Sequence, residues 1–272
     1  MKKKLPVALQ LFSIRNDLER DFEGALKSVK SFGYDGVEFA GLYGRSADEI
    51  RALLDVVGLT PVSANVSIDE MLRDPDGVMT AYSTIGCRYI AVPHLEEKRR
   101  IGGEEYDRTI EDMRMLERCA EAHGLVFMYH NHDFEFEKIG DKYALDILLE
   151  ALPGVSLELD TCWASVAGAK PEEYMKNYAG RSPVIHLKDY SLMGKKPEDI
   201  FCIMESGGDA RDKNGVFGFR PCGYGMNDIE AILEAADETN AEWLVVEQDA
   251  PMAGKTPLEC AEMSVKYLKM II

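Results

Sequence analysis

The chain has 272 residues, 46% of them hydrophobic, enough to bury one large core. A formal charge of −17 sets up a field that repels phosphate, and the basic clusters MKKK (1–4), EEKRR (96–100) and GKK (194–196) are too short to reverse it, so no nucleic-acid partner is expected. Six scattered cysteines (Cys87, Cys119, Cys162, Cys202, Cys222, Cys260) form no CxxC pair, which argues against a zinc ribbon and a disulfide scaffold and for reduced thiols.

The elements alternate from the start of the chain. VALQLF (7–12) is apolar and β-prone; its flanks lack a cleavage site, and Gln10 interrupts the run. Helical spacing follows at Phe22, Ala25, Leu26 and Val29, then at Ile50, Leu53, Leu54 and Val57, the second preceded by a capping-box pair, Ser46 and Glu49. Strands are expected after Gly33, Gly58, Gly86, Gly124 and Gly154, where a glycine ends each preceding helix, and again at 183–189 and 243–249. Helices are expected over about 21–32, 46–57, 75–85, 104–123, 142–152, 171–179, 227–239 and 257–270. Eight strand–helix units without a dinucleotide-binding glycine fingerprint predict an α/β fold, a (β/α)8 TIM barrel occupying 1–272 as one domain, with a long loop insertion at about 190–225. No apolar run approaches the roughly 18 residues of a membrane span, so no membrane partner and a cytoplasmic location are expected.

Strand parity then selects candidate site residues. In VSLELD, Val155, Leu157 and Leu159 share one face, which sends Glu158 and Asp160 toward the barrel axis. The same alternation aims His186 and Lys188 inward on the seventh strand, Val245 and Glu247 on the eighth, His130 and His132 on the fifth, and Gln10 and Glu38 on the first two. Any one of these could be a hydrogen-bonded core residue, half of an ion pair or a helix cap. Several carboxylates meeting at one apolar-walled mouth would repel one another unless a cation lay among them. Carboxylates with an imidazole suit one divalent ion, Mn2+ ahead of Mg2+, Co2+ or Zn2+.

YHNHDFEFE (129–137), LELDTCW (157–163), VIHLKDY (184–190), PCGYGMND (221–228) and WLVVEQD (243–249), in this order, resemble the xylose isomerase-like TIM barrel superfamily, in particular its sugar phosphate isomerase/epimerase branch. The resemblance runs over nearly the whole chain. It implies a divalent ion at the barrel mouth held by Asp160, His186 and Glu247, with Glu135 as the fourth ligand and His130 as its rival, because HNH stands where family epimerases carry glutamate. It also implies a small carbohydrate substrate, and a homo-oligomer is compatible with it. The roles expected are His132 as base, Lys188 as stabiliser of an enolate oxygen, Glu158 as a second acid/base group, and Gln10, Glu38, His130, Trp163 and Arg220 as substrate contacts.

The activity implied first is a metal-dependent sugar or sugar phosphate isomerase/epimerase acting through a metal-bound enediolate. The alternative is a lyase, dehydratase or 3-keto-glycoside-cleaving enzyme on the same scaffold, and a further one is a non-catalytic sugar-binding or partner subunit.

Overall fold

In the computed structural model, residues 4–192 and 217–272 are described. Cys202 and most of the expected insertion lie outside them. Eight parallel strands close into a barrel in strict chain order: β1 (Val7–Gln10), β2 (Gly36–Phe39), β3 (Thr60–Asn65), β4 (Tyr89–Val92), β5 (Val126–His130), β6 (Ser156–Asp160), β7 (Val184–Leu187) and β8 (Trp243–Val246). The main surrounding helices are α2 (Phe22–Phe32), α3 (Ala47–Val57), α5 (Pro75–Ile85), α6 (Tyr106–Ala122), α7 (Ala144–Ala151), α10 (Ile229–Glu238) and α11 (Pro257–Ile271). Expected helix 171–179 is shorter, an α-turn α9 (Pro171–Tyr174) continued as a 3-10 turn. No helix among the described residues is long and apolar enough to cross a membrane.

Local chemistry sets the boundaries. Gly33, Gly58 and Gly86 end α2, α3 and α5 in the left-handed region, with φ of 109°, 80° and 97°. Gly154 does not take this conformation. The Ser46–Glu49 capping box opens α3 as its spacing predicts. Three short helices, α1 (Arg15–Arg20), α4 (Ile68–Arg73) and α8 (Thr161–Val166), escape the periodicity reading because six residues are too few to establish a 3.6-residue repeat.

Inside the barrel the side chains are layered. Ala8, Val62, Tyr89, Met128, Val184 and Val245 pack as an apolar plug. Two residues further along four of these strands, the inward positions become Gln10, His130, His186 and Glu247, and on β6 Glu158 lies above Ser156. β3 breaks the alternation. Val37 pairs with Pro61 but Glu38 pairs with Ser63, so Val62 is an extra residue, and the bulge turns Ser63 and Asn65 toward the axis.

Beyond β7 the chain leaves the barrel as a two-stranded antiparallel ribbon, Asp189–Leu192 against Phe217–Arg220. The Asp189 carboxylate accepts the backbone N–H groups of Gly223 (3.0 Å), Gly225 (2.9 Å), Asn227 (3.1 Å) and Tyr190 (2.9 Å). CGYGMN is thus a loop folded around one buried carboxylate, and a Cβ on Gly225 would collide with that carboxylate and the Tyr190 carbonyl. Asp189→Ala strands several donors at once and is expected to destabilise the protein by about 3 kcal/mol. A urea midpoint equal to wild type would show that the loop is held by other contacts.

Candidate active site

The inward positions of β5 to β8 bring His130, Asp160, His186 and Glu247 together, each offering a donor atom within 4.8 Å of the others. His186 lies at the centre and is fully buried. Its Nε2 lies 2.7 Å from Glu38 Oε1 and 3.4 Å from Glu158 Oε1, and its Nδ1 lies 3.3 Å from Glu247 Oε2. Because a carboxylate can only accept, the bond to Glu38 places a hydrogen on Nε2 and leaves Nδ1 to face the donor group. Burial by itself would lower the His186 pKa, but the charge of Glu38, with hydrogen bonds to Glu158 and Glu247, outweighs it and holds the ring well above the ordinary histidine value, so Nδ1 also carries a proton that a cation bound there would displace.

Glu38 anchors this arrangement from below. Besides His186 it receives Gln10 Nε2 (2.5 Å), Asn65 Nδ2 (2.6 Å) and the Ser63 hydroxyl. Burial opposes its ionisation, yet His186 and these donors keep its pKa below the usual carboxylate range. Its neighbour Glu158 is pushed up, first by burial and then by the charge of Glu38. The pair therefore consists of one ionised and one protonated carboxyl beneath His186.

Lys188 is 1% exposed. Its ammonium reaches Glu247 Oε2 and Asp249 Oδ1, both at 2.9 Å, and Asp160 Oδ2 at 3.6 Å, and lies 4.9 Å from the Trp163 ring centroid. Burial would discharge it, but Asp249 and Glu247 hold its pKa well above the ordinary lysine value.

Two buried donor atoms in this group have no hydrogen-bond partner among the described residues, Asp160 Oδ2 and His130 Nδ1. The other Asp160 oxygen caps α8 by accepting Trp163 N–H at 2.8 Å, so Oδ2 is left to face the donor group. Two carboxylates, two imidazoles and an orphaned oxygen fit a single divalent cation.

Above this floor opens a cavity of about 730 Å³ lined by Gln10, Asn65, His94, His132, Lys188 and Phe219, among others. His132 stacks on Phe134 with an interplanar angle of 3°, and its ring also neighbours Trp163 at 5.7 Å. Its Nδ1 has no hydrogen-bond partner among the described residues. Burial, then His130 and Lys188, lower the His132 pKa well below normal, so its ring is neutral.

Three expectations need correction. Glu135 does not join Asp160, His186 and Glu247, and His130 takes the fourth place. A 3-10 turn, Phe134–Phe136, carries Glu135 back toward Tyr129, a residue on the helix-facing side of β5, where its carboxylate accepts the Tyr129 hydroxyl and the His132 N–H. It borders a separate cavity of about 280 Å³ beside Arg100 and Tyr106. Arg220 does not reach the mouth, because Phe219 takes the inward position on its strand and the Arg220 guanidinium donates to the Phe219 carbonyl at 2.9 Å. Trp163, fully buried, does not line the cavity and instead packs against His132 and Phe219 from behind. Sequence reasoning misses Ser63 and Asn65, whose parity the bulge reverses, and His94, which follows Pro93 after β4 has ended. The pairing of Asp249 with Lys188 is also absent from it.

The architecture defines a class: a parallel barrel whose strand ends converge on donors for one divalent cation. The chain belongs to the xylose isomerase-like TIM barrel family, which it matches over residues 26–269. An inosose dehydratase of Clostridium beijerinckii is 26% identical over 275 residues, covering 92% of this chain and 90% of that protein. A sugar phosphate isomerase/epimerase from Parabacteroides distasonis superposes with a TM-score of 0.76 at 20% identity, over 98% of this chain and 94% of the other. The IolI protein with a bound zinc atom does so with a TM-score of 0.71 at 18% identity, over 98% of both chains.

If the mouth holds a divalent ion, metal at about 100 times its dissociation constant should stabilise the protein by about 2.7 kcal/mol. Asp160→Asn and His130→Ala are expected to abolish the thermal shift with Mn2+, whereas Glu135→Gln should retain it. A shift lost in Glu135→Gln but kept in His130→Ala would restore the ligand set implied by the family resemblance.

Proposed function

We propose that this chain is a divalent-metal-dependent lyase that removes water from a polyhydroxylated ketone of the inosose type. The observation that carries the reading is the donor group of His130, Asp160, His186 and Glu247 on the floor of a cavity flanked by a neutral His132 and a charged Lys188. The choice of dehydration over isomerisation is supported by the near full-length likeness to inosose dehydratase, and it reverses the order that the sequence motifs imply.

Bound at the four donors, the ion would supply Lewis acidity to the substrate carbonyl. Two imidazoles in the donor set, in place of one, move the preference from Mn2+ toward Zn2+ or Co2+.

The remaining work belongs to side chains. Dehydration breaks a C–H bond next to the carbonyl and a C–O bond one carbon further on. The C–H electron pair becomes the new C=C bond, and the hydroxyl leaves with a proton as water. His132 is the base: its ring is neutral, Nδ1 is unpartnered, and the Phe134 and Trp163 contacts fix its plane. Lys188 supplies the proton to the departing hydroxyl, and Asp249 and Glu247 keep its ammonium charged until then. Gln10 spends its amide on Glu38 and the Phe12 N–H, so its role is to hold Glu38 in place. Asn16, Ser67 and His94 are polar groups of the lining placed to meet substrate hydroxyls, while the Asn65 amide, like that of Gln10, is spent on Glu38.

With the metal-loaded protein, an inosose should yield a dehydrated diketone, while simple ketoses remain unchanged. Appearance of an epimeric or isomeric ketose, with the inosose left intact, would instead establish the isomerase/epimerase reading. His132→Gln should lower kcat by about 100- to 10,000-fold and leave the metal-induced thermal shift intact. Equal loss of both would reassign His132 to metal binding.

A further inference from the structure

We propose a second transition-metal site on the outer wall of the barrel, formed by Asp76 of α5 with Cys119 of α6 and His123, the residue that caps the C-terminus of α6, which takes a borderline-soft ion such as Zn2+. It contains a sulfur donor, and the barrel mouth contains none. The two sites therefore differ in the ions they select.

The geometry rests on helix spacing and on one committed hydrogen. Cys119 and His123 are four residues apart and lie one above the other at the C-terminal end of α6. Asp76, in the first turn of α5, places Oδ1 3.6 Å from Cys119 Sγ and 3.7 Å from His123 Nε2. Cys119 Sγ lies 4.0 Å from His123 Nδ1. One donor atom from each of the three residues falls within 4.8 Å of the others. A tetrahedral zinc ion with ordinary bond lengths separates such donors by roughly 3.3–3.6 Å, close to the distances Asp76 Oδ1 makes to Sγ and to Nε2, so closure requires the Cys119 side chain to turn Sγ toward Nε2.

The backbone contact of His123 suits a metal ligand. Its Nδ1 lies 2.8 Å from the Cys119 carbonyl, which can only accept, so Nδ1 carries hydrogen. In the neutral ring Nε2 then presents a lone pair toward Asp76 Oδ1, at a separation too long for a direct hydrogen bond. The backbone carbonyl behind the imidazole is the partner that orients metal-bound histidines generally. Binding would convert the Cys119 thiol to thiolate and release its proton to water, clamping α5 to α6 with the fourth position open to solvent.

Co2+ titration of the full-length protein tests this directly. Thiolate coordination gives a sulfur-to-cobalt charge-transfer absorption in the near ultraviolet, which the sulfur-free mouth cannot produce. The band should grow at stoichiometric Co2+, be bleached by Zn2+ but not by Mn2+, persist in Asp160→Asn, and vanish in Cys119→Ser and in His123→Gln. Absence of the band, or its survival in Cys119→Ser, would overturn the proposal. Circular dichroism of the two variants checks that these partly exposed positions leave the fold intact.

Discussion

The structure depends on how buried negative charge is tolerated at the C-terminal end of the barrel. Glu38, Glu158, Asp160 and Glu247 converge there with almost no exposure, a cost that water would normally prevent. His186 and Lys188 offset much of it. One is held charged by the carboxylates beneath it and the other by those beside it. Asp160 Oδ2 remains without a hydrogen bond inside this network of ion pairs, 3.6 Å from the Lys188 ammonium.

Beneath this polar layer the apolar plug gives the strands a common reason to close. Around it, the aromatic side chains of Phe134, Trp163 and Phe219 hold His132 and Lys188 in fixed orientations. Low exposure strengthens every electrostatic interaction in the group and also shifts the titrations: His130 falls to about 3 and His132 well below normal, each chiefly by burial. A neutral imidazole and a charged ammonium thus border one cavity.

The family relationship explains why the cation site and the reaction are separate questions. One barrel fold serves proteins named isomerase, epimerase and dehydratase, so the fold does not choose among these reactions. The differences arise from what surrounds the activated carbon. In this chain those surroundings include His94 and Asn65, neither of which belongs to a motif conspicuous in the sequence.

Much of the fold is written locally. Apolar residues at 3.6-residue spacing and glycines at helix ends mark eight alternating units, because those signals arise within one element and its cap. Inward parity on β6, β7 and β8 is equally legible, which is why Asp160, His186 and Glu247 can be chosen without coordinates. The remainder depends on contacts between elements. A bulge at Val62, set by pairing with β2, turns Ser63 and Asn65 inward, and a 3-10 turn takes Glu135 away and leaves the fourth place to His130. The protonation of Glu38 and Glu158 is likewise absent from the sequence, since it depends on distances between strands far apart in the chain. The sequence by itself determined the barrel and the polar character of its mouth, because periodicity and parity belong to single elements; the tertiary structure alone decided which of those polar groups meet, because register and burial exist only once strands pair.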